Sequence, residues 1–265
     1  MSAISNELIW TPAEKLHDWL EVINDALDLH QKLYAVSDTE TTGLLLMDND
    51  AKGFLYRNRL VELAFCFYYY DNKEKKMKQL KDADGEHIVF HEPVNFLAEA
   101  KDIREKFQSI EHIPADSTRV HGLTEKYLFA EESSPMGRPK LKKGALTFSE
   151  IIPLLLRMFQ VDNAFDKGLP IYMVFHNAPF DTRYLNSEMR IAGLPMLESY
   201  ALVLDTQAEA KRLMPGLPSY TLDSLYEHCV QLSGEEKIER PFHDARTDSE
   251  ILAVLIGYLI YISSE

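Results

Sequence analysis

The sequence predicts one α/β domain built on a mixed sheet, and three observations carry that expectation. Apolar, strand-like runs come first, at residues 33–37, 60–70 and 87–91. Strand-like and helical segments then alternate toward the C-terminus, the pattern of an α/β fold. No internal repeat and no clean linker divides the chain.

Each element has a local reason. Thr11-Pro12-Ala13-Glu14 reads as a helix start, with Thr11 as cap, Pro12 at the first helical position and Glu14 completing a capping box. Leu16, Trp19, Leu20, Ile23 and Leu27 follow on one helical face, so residues 1–32 form an N-terminal helical extension to a domain spanning 33–265. The polar, Lys-rich stretch 71–84 suits a hairpin loop. Residues 97–107 read as helix. The segment at about 131–146, with Ser133-Ser134-Pro135, Gly137, Pro139 and Gly144, reads as a long loop. Helix 148–159, strand 171–175, helix 180–191, strand 201–204 and helices 207–213, 221–232 and 244–261 complete the chain.

Composition narrows the function. There are 28 Lys+Arg against 42 Asp+Glu, a formal charge of −14. Coating or sliding along nucleic acid needs a basic surplus, so that class is disfavoured; an enzyme that engages phosphates through bound metal is not. Cys66 and Cys229 make no disulfide framework, and Cys66 sits in an apolar strand-like run. The N-terminus lacks the basic and apolar regions of a signal peptide. The longest apolar stretch, 251–262, falls short of the roughly 20 residues that span a bilayer. The expectation is a cytoplasmic protein with no membrane partner.

Carboxylates stand in awkward places. Val36-Ser37-Asp38-Thr39-Glu40-Thr41-Thr42-Gly43 continues a strand, whose period of two puts Asp38 and Glu40 on one face. They are either a solvated strand end or two repelling acids that need a cation. Asp248 begins the stripe Asp248, Ile251, Leu252, Leu255, Leu259 that should face the core, and a carboxylate there needs a compensating partner. His243 lies just before that helix. Asp181 falls in the first turn of a helix opened by Pro179, where it either serves the helix dipole or faces the end of the preceding strand. If the four acids converge, they make an oxygen-rich site for Mg²⁺ or Mn²⁺ rather than zinc.

These segments, in this order, resemble the three motifs of the DEDDh exonucleases, the DnaQ-like superfamily of the polymerase III epsilon subunit, ribonuclease T and the TREX enzymes. Asp38-Thr39-Glu40-Thr41-Thr42-Gly43 matches the first motif, His176-Asn177-Ala178-Pro179-Phe180-Asp181 the second, and His243-Asp244-Ala245-Arg246-Thr247-Asp248 the third. Leu60-Val61-Glu62-Leu63-Ala64 resembles the family's second strand, and His121-Gly122-Leu123-Thr124 its His-Gly turn. The resemblance covers about residues 33–262 and implies a ribonuclease-H-like fold with a five-stranded mixed sheet flanked by helices.

It also implies stepwise removal of nucleotides from 3′ ends, releasing nucleoside 5′-monophosphates, with two Mg²⁺ or Mn²⁺ ions. Asp38, Glu40 and Asp248 would hold the catalytic metal, Asp181 would support a second, and His243 would be the general base. Thr41, Thr42, Gly43, Leu44, His121, Asn177 and Phe180 would line the pocket of the terminal nucleotide, on a single-stranded 3′ end. The second motif leans toward DNA. Short-RNA degradation and a catalytically silent nucleic-acid-binding scaffold are the alternatives, and polymerase association stays open. Arg138, Lys140, Lys142 and Lys143 make the long loop either a solvated surface or a clamp on the substrate backbone.

Overall fold

The computed structural model describes residues 15–30, 32–43, 57–160, 168–233, 238 and 243–264. The capping segment expected at 11–14 lies outside them. Helix α1 (Leu16–His30) buries Leu16, Trp19, Ile23, Ala26 and Leu27 along one face, the stripe read from the sequence. Strands β1 (Leu33–Thr41), β2 (Leu60–Asp71), β3 (Lys76–Gln79) and β4 (Val89–Pro93) follow. Helix α2 (Lys101–Lys106) is preceded by a 3-10 turn at Phe96–Ala98, so the expected helix at 97–107 is broken. Two short helices, α3 (Ala115–His121) and α4 (Glu125–Leu128), carry the His-Gly turn between them. Then come α5 (Phe148–Phe159), β5 (Ile171–Phe175), α6 (Ala178–Ile191), β6 (Leu202–Asp205), α7 (Thr206–Leu213), α8 (Leu222–Ser233) and α9 (Ala245–Ser263).

The sheet runs β3-β2-β1-β5-β6, with β4 pairing the other stretch of β2's outer edge. Pairs β1–β5 and β5–β6 are parallel; those made by β2 are antiparallel. The architecture is the expected α/β fold with a mixed sheet, but the sheet has six strands, not five. The sixth is β3, inside the stretch expected to be only a loop. It pairs with Tyr68–Asp71 at the sheet edge and stays half-exposed, so it keeps its lysines and shows no apolar alternation.

The period of two in β1 distributes its side chains between two cores. Leu33 and Ala35 join the core under α1, α5 and α6; Tyr34 and Val36 join the one under α8 and α9. A third, smaller cluster links Val61 and Phe96 to His-Gly-turn neighbours Leu123 and Tyr127 and to loop residues Leu141 and Ala145. No helix among the described residues is long and apolar enough to cross a membrane.

One buried ionic network ties the first-motif turn to this frame. Arg59 is 0% exposed and donates to Glu99 (2.8 Å from Nη1) and Glu188 (2.8 Å from Nε and 2.7 Å from Nη2). Its backbone amide donates to the Thr42 hydroxyl at 2.8 Å, and the Thr42 amide returns a 2.8 Å bond to the Arg59 carbonyl. Replacing Arg59 by Met strands two buried carboxylates. We expect R59M to lose about 3–5 kcal/mol of stability in urea denaturation; a loss below about 1 kcal/mol would show that the network is solvated.

Candidate active site

The site lies where β1 outruns β5. The two strands pair in register from Leu33↔Ile171 to Val36↔Val174, after which β5 ends at Phe175 and β1 continues to Thr41. That opens a crevice at the carboxyl ends of parallel strands, where α/β sheets place ligands. By the alternation of β1, Asp38 and Glu40 share the α9 side with Tyr34 and Val36, while Thr39 turns toward the α6 side.

On the α9 side, Glu40, His243 and Asp248 converge, each with a ligand atom within 4.8 Å of the others'. Glu40 and Asp248 are buried, whereas the His243 side chain is 51% exposed. His243 Nδ1 lies 3.2 Å from Asp248 Oδ2. Asp244 caps α9 by accepting from the Thr247 amide at 3.1 Å, which starts the helix right after His243 and sets Asp248 one turn inside it. Burial, and then the neighbouring Glu62 and Asp248 charges, push the Glu40 carboxyl well above its ordinary range.

Asp38 and Asp181 lie outside this three-residue group. Asp38 is half-buried on β1. Asp181, buried in the first turn of α6, accepts a 2.7 Å bond from the Thr39 hydroxyl, so it meets β1 from the side opposite α9. Burial pushes its carboxyl up to about 7 against the lowering pull of that hydroxyl. Thr39 was not anticipated, although its place between the two first-motif acids marks it.

The expected substrate-facing residues divide. Thr42 is buried with its hydroxyl held by the Arg59 amide, and its carbonyl accepts from Ser117 at 2.8 Å. Thr41 Oγ1 donates to the Gly43 carbonyl at 3.0 Å, and Tyr184 donates to the same carbonyl. A Cβ at Gly43 would meet Asn58 only at an ordinary 3.5 Å, so no backbone strain demands glycine there. Leu44 lies outside the described residues. His121 is buried, accepts from the Leu123 amide at 3.0 Å through Nδ1, and is held neutral by burial, which pushes it down to about 4. Asn177 is exposed at φ +64°, its amide on Asp205, and Phe180 packs on Tyr184 with ring centroids 5.1 Å apart. His176 is structural, bridging Thr206 Oγ1 at 3.0 Å and the Tyr220 carbonyl at 2.9 Å.

A fourth buried acid, Glu62, was not anticipated as a site residue from the sequence. Glu62 pairs with Glu40 across β1 and β2 and is 1% exposed. It sits between Arg138, His91 (2.9 Å) and the Ala245 amide (3.2 Å). Burial raises its carboxyl, but Arg138 and then His91 outweigh that and hold it well below the usual range. A charge inside the apolar run 60–67 was the available signal. Its partner Arg138 is 5% exposed, so its guanidinium is not displayed on the surface with Lys140, Lys142 and Lys143, which remain exposed.

No family model matches the chain. Its sequence is 30% identical over 139 residues to the DNA polymerase III epsilon subunit of Haemophilus influenzae, covering 52% of this chain and 43% of that one. It is also 30% identical over 145 residues to the epsilon subunit of Rickettsia felis, covering 53% and 50%. The chain thus spans about half the length of the curated relatives it matches. Its fold is similar to the nuclease domain of 3′hExo, a DEDDh family member bound to rAMP (TM-score 0.51, 11% identity, 86% of this chain and 90% of that one). A full-length 3′-exonuclease is comparably similar (TM-score 0.51, 10% identity, 86% and 80%). The likeness is to DnaQ-like exonucleases in sequence and to ribonuclease-H-like nucleases in fold.

The Glu40 shift makes a signed prediction. A carboxyl whose folded pKa is raised holds its proton longer folded than unfolded, so its contribution falls as pH rises above the unfolded value. In metal-free buffer, the stability of Glu40→Gln relative to wild type should therefore climb as pH rises above the ordinary carboxylate range, by up to ~1.4 kcal/mol per pH unit. A pH-independent difference would mean that Glu40 is solvated.

Proposed function

We propose that this chain is a metal-dependent 3′–5′ exonuclease of the DEDDh type. It would release nucleoside 5′-monophosphates from single-stranded 3′ ends, with DNA favoured over short RNA. The observation that carries the reading is the meeting of Glu40, His243 and Asp248, residues from a central strand and from the start of the last helix, within 4.8 Å. The ordered motifs and the epsilon-subunit relatives support it.

The residues fit a hard divalent cation. Two buried carboxylates with raised repulsion and oxygen donors suit Mg²⁺ or Mn²⁺. Asp38, Glu40 and Asp248 would hold one ion and Asp181 would support a second. Bound cations would activate water and stabilise charge on the attacking and leaving oxygens.

The chain's own groups divide the remaining work. Exposed His243 suits a proton acceptor better than a ligand, because it faces solvent while its Nδ1 is oriented by Asp248. It takes the proton of the attacking water as the new P–O bond forms and the bond to the 3′-oxygen breaks. The turn 41–43, pinned by Tyr184, Ser117 and Arg59, offers a rigid wall for the terminal nucleotide. Half-buried Phe180 packs on Tyr184 behind that turn, and exposed Asn177, at the start of α6, would contact the terminal nucleotide.

The test is release of mononucleotides from 3′-labelled single-stranded DNA, overhanging duplex DNA and short RNA. Wild type should act with Mg²⁺ or Mn²⁺ and stop with chelator. Asp38→Ala and His243→Ala should each reduce kcat by at least about 10²-fold. Activity that survives both substitutions, or chelation, would contradict the mechanism; faster turnover of RNA would reverse the substrate order.

A further inference from the structure

The loop 131–145 does something its basic composition hides. Its turn is built around Ser134: the Ser134 amide donates to the Arg138 carbonyl at 3.1 Å, and the Gly137 amide to the Ser134 carbonyl at 3.0 Å. The Ser134 hydroxyl donates to the Gly122 carbonyl at 2.5 Å. The contact with the His-Gly turn is close enough that a Cβ at Gly122, where φ is +74°, would meet Met136 and Ser134 at 2.9 Å. Leu141 and Ala145 fasten the far side of the loop into the third apolar cluster.

This anchored turn delivers Arg138 into the interior. Its guanidinium makes a two-pronged pair with Glu62, through Nη1 to Oε1 and through Nη2 to Oε2 at 3.2 Å. The same Nη2 donates to the His243 carbonyl at 3.3 Å, while Glu62 Oε2 accepts from the Ala245 amide at 3.2 Å. One ion pair therefore grips the chain on both sides of Asp244, where it enters α9. His243 and Asp248 both take their direction from that entry.

We infer that Arg138 and Glu62 are positioning residues that brace the 243–245 segment, so the loop orients His243 instead of clamping substrate. The inference rests on the exonuclease reading. Without the guanidinium, Glu62 would keep only His91 and the Ala245 amide against the neighbouring Glu40 carboxyl, and its hold on that amide would loosen. The bidentate fork makes Lys a poor but partial substitute.

The test combines kinetics with amide exchange of the full chain. In Arg138→Met, kcat on 3′-labelled single-stranded DNA should fall about 10²-fold with KM within about threefold, the mark of a misplaced catalytic group rather than lost binding. Arg138→Lys should restore part of kcat. The Ala245 amide should exchange at least about tenfold faster in Arg138→Met while amides of β5 keep their protection. Unchanged kcat, or a loss confined to KM, overturns the inference; the second outcome restores the clamp. If wild type releases no mononucleotide, the exonuclease reading fails by itself. Ala245 exchange then judges the brace alone, and an unchanged rate overturns it. Should Arg138→Met not fold, Arg138→Lys and Glu62→Gln carry the same two measurements, with kcat loss and faster Ala245 exchange again expected.

Discussion

The constraint on which the site depends is the burial of like charges at the carboxyl end of β1. Glu40, Glu62 and Asp248 gather where the central strands meet the start of α9, all nearly inaccessible to water. Ionised carboxylates in such a place repel and lose hydration, and each needs a compensating charge or a proton. The surrounding structure can be understood as three different answers to that need.

Glu62 receives its answer from the protein: a guanidinium, an imidazole and a backbone amide surround it. Arg59 serves Glu99 and Glu188 in the same way at the neighbouring turn. Asp181 is eased by the Thr39 hydroxyl and by its raised affinity for a proton. Glu40 and Asp248 are treated differently. Their described surroundings push Glu40 toward protonation, and the nearest added group, His243, is half in solvent. Under the proposed function, a divalent cation would resolve this repulsion and leave His243 available to substrate. The stability given up here is the expected cost of a functional site, and the rigid ion pairs around it hold the geometry while that cost is borne.

Much of this was legible from sequence because its signals are local. The period of two in 33–41 set the facing of Glu40, the heptad-like stripe behind Asp248 set the face of α9, and Pro179 marked the start of α6. The strands after residue 170 and their helices fall within a residue or two of expectation, since each is a short run with clear punctuation. What was hidden depends on long-range partners. Strand β3 is polar because it is an edge, so its identity comes from pairing with β2 rather than from its own pattern. Arg138 looks like surface charge beside Lys140 and Lys142. Only the fold shows that it meets Glu62, far away in sequence. Gly43 stands in the first motif, but its backbone makes no demand for glycine.

The account stands or falls on whether the Glu40–Asp248 pair is completed by a cation. Calorimetric titration of Mn²⁺ into wild type, Glu40→Gln and Asp248→Asn measures this directly, without substrate. It should show saturable binding to wild type that tightens with rising pH as protons are displaced from the site, and a loss of at least about tenfold in affinity for either variant. Equal Mn²⁺ binding by all three proteins would contradict it.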